Sequence, residues 1–126
     1  WLEFRNQLAE HSIRGSVLTM RGVQARRPSL YDLEEQMREL TVPTLILTGD
    51  EDEPCLIPGV FMKRLIRSSA LVTLANAGHT INLEAPDEFN QAVDQFLIQV
   101  RSGRWPVREA GTEAGGSILG MNENRT

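Results

Sequence analysis

Two short runs hold the residue types that acid–base chemistry uses. In Gly49-Asp50-Glu51-Asp52-Glu53 four acids follow a glycine, and in Gly78-His79 a histidine follows another. An imidazole serves as a general base when a carboxylate on one ring nitrogen fixes its tautomer and stabilises the imidazolium. The other nitrogen is then left to take a proton. Asp52 is the acid placed for such a pairing. Asp50 leaves the chain while it is still turning, whereas Asp52 has cleared the turn and can lean across to His79. Glu51 and Glu53 flank it and are expected in solvent. Taken alone, acids on a loop tip read as solvated surface. Other groups have simpler readings. His11 and Ser12 are adjacent, so on a helix their side chains diverge, and packing or capping is expected. Arg26-Arg27 could hold an anion but reads as a solvated pair. Glu84 reads as a structural acid that caps the following helix or holds the histidine loop, and Cys55 as loop packing.

For Asp52 and His79 to meet, a strand–helix–strand unit has to carry them. Thr44 to Thr48 is β-rich with no polar alternation, the pattern of a strand covered on both faces. Pro43 stands at its entrance, where a missing N–H is tolerated. Ala70 to Ala75 reads as a second strand. A helix is expected between them from Pro58 to Arg67, where Val60, Phe61, Leu65 and Ile66 share a face. Such a unit has parallel strands and a right-handed crossover. Asp52 and His79 then emerge together at the C-terminal edge, where ligands collect in open α/β sheets. Glu84-Ala85-Pro86-Asp87-Glu88 opens a further helix, and Phe89, Ala92, Val93, Phe96, Leu97 and Val100 give it the clearest apolar face in the chain. Upstream, Trp1, Phe4, Leu8 and His11 mark one short helix, and Ile13, Val17, Leu18 and Met20 mark another. Ser29-Leu30-Tyr31-Asp32 starts a third, continued by Leu33, Met37 and Leu40. Beyond Gly103 the pattern dissolves, and residues 106–126 are expected to form a mobile tail.

The composition narrows the function classes. With 126 residues the chain can build one small domain with a modest core. Its net charge is −4, and residues 41–100 set three basic residues against eight acids, so no basic face offers itself to nucleic acid. No apolar run is long enough to span a membrane. Cys55 is the only cysteine, which excludes an intrachain disulfide and a thiolate metal cluster and fits a reducing compartment; a cytoplasmic location is expected. The chain begins at Trp1 rather than Met, so the lack of a signal peptide carries no weight. No metal or cofactor is expected.

The run Pro43-Thr44-Leu45-Ile46-Leu47-Thr48-Gly49-x-x-Asp52, followed by Gly78-His79 and Glu84-x-Pro86-x-x-Phe89, resembles the C-terminal third of α/β-hydrolase-fold enzymes over about residues 41–101. The resemblance implies an α/β fold, with residues 29–105 forming the C-terminal fragment of a doubly wound sheet: two parallel strands with flanking helices. Residues 1–28 would be the end of a helical cap. It also implies a triad in the order nucleophile, acid, histidine, with Asp52 as the acid and His79 as the histidine. A nucleophile is not found, since the serines at 12, 16, 29, 68, 69, 102 and 117 all fail G-x-S-x-G. Single α/β domains also commonly need roughly 200–250 residues. The expected function is therefore that of a hydrolase fragment. The parent would cleave an ester, lactone or related bond of a small-molecule substrate, and the chain alone, without the N-terminal remainder of the fold, is expected to be inactive. Two alternatives remain open: a dehalogenase or epoxide-hydrolase type with an Asp nucleophile, and a non-catalytic binding protein of the same fold. G-x-S-x-G or G-x-D-x-G upstream would separate them. A self-standing interaction domain fits poorly, because two parallel strands cannot cover both faces and both edges unaided.

Overall fold

A computed structural model describes residues 2–109. They fall into two compact units, one ending at Leu33 and the other beginning at Glu34. Most of the expected tail, from residue 110 onward, lies outside the described residues.

In the first unit, helix α1 (Leu2–Ala9) is followed by α2 (Ile13–Thr19), which runs into a π-helical stretch at Met20–Gln24. Ser12 is the N-cap of α2, its hydroxyl accepting the Gly15 N–H at 3.1 Å, which satisfies an amide that helix geometry leaves orphaned. His11 lies between the helices rather than on the α1 face. The helix expected from Ser29 is divided. Asp32 turns back to accept the Ser29 N–H at 3.0 Å, and the chain tightens into a 3₁₀ turn over Leu30–Leu33.

The second unit holds the sheet. After helix α3 (Glu34–Glu39) come strand β1 (Thr44–Gly49), α4 (Glu53–Leu65), β2 (Ser69–Leu74), α5 (Ile81–Glu84) and α6 (Pro86–Arg101). The strands pair in parallel, with Thr44 opposite Ser69 and Gly49 opposite Leu74. Alternation of side chains puts Ile46, Thr48, Leu71 and Thr73 on one face, where the Thr48 and Thr73 hydroxyls lie 3.2 Å apart. Helix α4 lies on that face. A Cβ at Gly59 would stand 3.1 Å from Thr48 and 3.5 Å from Leu71, so the absent side chain is what lets the helix come so close. Leu45, Ala70, Val72 and Leu74 form the opposite face and line a cleft with Ala92 and Phe96 of α6. Helices on both sides explain why neither strand alternates with polar residues.

One expectation needs correction. Helix α4 begins at Glu53, five residues before the Pro58 expected to open it. Proline inside a helix removes one N–H bond, here the one directed at residue 54 near the helix start, so the loss falls where the ladder is thinnest. Pro54 also sits in the first turn, where proline is well tolerated. Trp105 packs edge-on against Phe96, ring centroids 4.8 Å apart, and the Arg108 guanidinium donates to Ile66 O at 2.7 Å and to Lys63 O. Arg108 thereby caps carbonyls at the C-terminal end of α4. Among the described residues no helix is long and apolar enough to cross a membrane.

Candidate active site

The site forms where β1 and β2 end side by side. Gly49 closes β1, and a Cβ there would collide with the carbonyl oxygens of Ala77 and Gly78. The loop after β2 therefore presses onto the turn after β1 at a point only glycine permits. Three bonds fasten the two together: Asp50 N–H to Leu74 O at 3.0 Å, Glu51 N–H to Ala77 O at 3.0 Å, and Ala77 N–H to Asp50 Oδ1 at 3.2 Å. Asn76 adopts a left-handed conformation, φ 56°, which asparagine tolerates better than most residues.

Clamped in this way, the loop brings His79 to Asp52. His79 Nδ1 lies 2.8 Å from Asp52 Oδ2; the histidine side chain is 80% exposed and the aspartate side chain 11%. An ionised carboxylate can only accept, so Nδ1 carries the shared proton and Nε2 is the nitrogen left to act as a base. Asp52 occupies the N-cap of α4, yet its carboxylate is turned to the histidine instead of back onto the helix amides. The helix N-terminus still favours its negative charge. The Cys55 thiol and, after it, the His79 ring hydrogen-bond to the carboxylate and hold it below its ordinary pKa. The same bond to Asp52 pushes the Cys55 thiol up.

Glu84 fixes the histidine loop from the other side. Its carboxylate accepts from Gly78 N–H at 2.7 Å, Thr80 N–H at 3.0 Å and the Thr80 hydroxyl, so it holds the loop and does not cap α6, whose N-cap is Ala85. The Thr80 hydroxyl and then the two amides keep this carboxyl below its usual range. Glu51 and Glu53 are exposed.

Two contributors escaped the sequence reading. Asp50 holds Ala77, and Cys55 stands in the first turn of α4 with Sγ 3.8 Å from His79 Nδ1. Once the helix is known to start at Glu53, the i,i+3 spacing of Asp52 and Cys55 places both on one side of its N-terminus.

No family model matches the chain. Curated relatives do. It is 33% identical over 72 residues to a proline iminopeptidase of Saccharolobus solfataricus, covering 57% of this chain and 23% of that protein. It is 34% identical over 96 residues to the AB hydrolase superfamily protein YisY of Bacillus subtilis, covering 74% and 33%. Among solved structures, MenH from S. aureus superposes with a TM-score of 0.53 at 36% identity, over 55% of this chain and 26% of that one. The chain carries the C-terminal part of an α/β-hydrolase fold. This α/β-hydrolase segment spans between about a fifth and a third of the length of the curated relatives it matches.

Proposed function

We propose that this α/β-hydrolase segment supplies the acid, Asp52, and the histidine, His79, of a nucleophile–acid–histidine triad in a hydrolase of ester, lactone or related bonds. The 2.8 Å contact between His79 Nδ1 and Asp52 Oδ2, at the C-terminal edge of two parallel strands, carries the reading. Nε2 takes the proton of a nucleophile furnished by the rest of the fold as that nucleophile attacks the substrate carbonyl. The imidazolium is stabilised by Asp52, which stays ionised, and returns the proton to the leaving group. The Asp52 side chain is 11% exposed, while the 80% exposed His79 ring remains open to nucleophile and substrate. The partner is a small molecule, because the acidic balance of residues 41–100 offers nothing to a nucleic acid and no membrane surface is invoked. A lone free thiol, Cys55, suits the reducing conditions of the cytoplasm.

The test is made in the protein that joins this segment to a complete fold. Asp52→Asn should lower kcat by about 10⁴, the scale for a neutralised triad acid. Asp50→Asn keeps an oxygen for the Ala77 N–H and should stay within about tenfold of the parent. Circular dichroism checks that both are folded. A dead Asp50→Asn beside a near-normal Asp52→Asn moves the acid by two residues, and two active variants remove the relay altogether.

A further inference from the structure

We infer that Asp52, Cys55 and His79 form a binding site for a borderline-soft divalent cation, of which zinc is the best fit. One ligand atom from each, a carboxylate oxygen, the sulfur and a ring nitrogen, lies within 4.8 Å of the others. Nδ1 is the shared centre, with Oδ2 at 2.8 Å and Sγ at 3.8 Å. Around a tetrahedral zinc, with bonds of about 2.0–2.3 Å, neighbouring ligand atoms stand roughly 3.3–3.8 Å apart. Two of the three separations, 2.8 and 3.8 Å, bracket that range, and the third stays within 4.8 Å. The largest movement falls to the histidine, whose side chain is 80% exposed.

The ligand chemistry selects the ion. Imidazole nitrogen with thiolate sulfur suits zinc and its neighbours, whereas magnesium and calcium take oxygen ligands. Binding is balanced in charge and protons. The Cys55 S–H bond breaks and its proton goes to solvent, the Nδ1 proton moves to Nε2, and the dication is neutralised by one thiolate and one carboxylate. Three protein ligands leave a fourth position for water. The cation would take both Nδ1 and the Asp52 carboxylate away from proton transfer. That consequence rests on the triad reading, whereas the binding itself does not.

The experiment uses the whole 126-residue chain with Zn²⁺ and Co²⁺ as probes and no substrate, so its outcome is independent of catalysis. Calorimetry should show one zinc per chain, and cobalt should give a thiolate-to-metal charge-transfer band in the near ultraviolet. Cys55→Ser and His79→Gln should each weaken zinc binding by at least about tenfold, given that even the outer partners of a metal site are worth about 10–100-fold. His11→Gln should bind as the parent does, and Mg²⁺ should not compete. No zinc binding, a cobalt spectrum without the thiolate band, or affinity unchanged in both ligand variants would overturn the assignment. The cobalt spectrum of the unaltered chain decides the matter even if a variant fails to fold.

Discussion

Gly49→Ala tests whether the Asp52–His79 geometry depends on the close approach of two loops. The added Cβ meets backbone, the carbonyl oxygens of Ala77 and Gly78, which cannot rotate away as a side chain would. The histidine loop has to retreat by roughly 1 Å, and overpacking of this kind costs about 1–3 kcal/mol. That retreat also stretches Glu51 N–H to Ala77 O and Ala77 N–H to Asp50 Oδ1, each worth about 0.5–1.5 kcal/mol net. Together the loss is about 2–6 kcal/mol. At about 4–8 °C per kcal/mol for a domain of this size, the melting temperature should fall by at least about 8 °C. The loop cannot move without taking His79 from Asp52, and a misplacement of about 1 Å near a reacting group costs about 10²-fold in rate. Thermal unfolding by circular dichroism at low concentration measures the first effect. The ¹⁵N shifts of the His79 ring measure the second, since the Nδ1–H tautomer should lose its excess. Gly22→Ala is the control, because a Cβ there meets nothing within 4 Å. If Gly49→Ala melts within about 2 °C of the parent and the His79 tautomer is unchanged, the close approach does not position the histidine.

Glu84→Ala frees three donors of the histidine loop at once, so amide hydrogen exchange at Gly78 and Thr80 should quicken at least about tenfold, while α6 keeps its protection; equal protection in the variant would deny Glu84 its holding role. Both Asp52 and Glu84 have carboxyls held below their ordinary values, so their contribution to stability is complete above the unfolded range near pH 4 and is lost as pH falls through the lowered folded values. Acid melting of Asp52→Asn/Glu84→Gln should therefore be flatter below about pH 4 than that of the parent, and an identical acid limb counts against the lowered carboxyls. The 126-residue chain alone should not turn over p-nitrophenyl acetate, since a base and an acid without a nucleophile or an oxyanion hole stabilise little of the transition state; turnover abolished by a serine-directed inhibitor would refute this.

What the sequence determined by itself was whatever local pattern controls. The unalternating runs at Thr44–Thr48 and Ala70–Ala75 became β1 and β2, because strands buried on both faces have no place for polar side chains. The apolar stripe from Phe89 to Val100 became α6, opening at Pro86 as an N-terminal proline should. The glycines at 49 and 78 marked the exits that deliver Asp52 and His79. The tertiary structure decided what depends on segments far apart in sequence. A proline at 58 reads as a helix start, yet the helix is already under way from Glu53. Nothing local announces that Asp50 would hold Ala77, that Cys55 would stand beside His79, or that Arg108 would cap α4. Each is a contact across 24 residues or more, set by how closely two chain ends approach, and helix or strand periodicity carries no record of that distance.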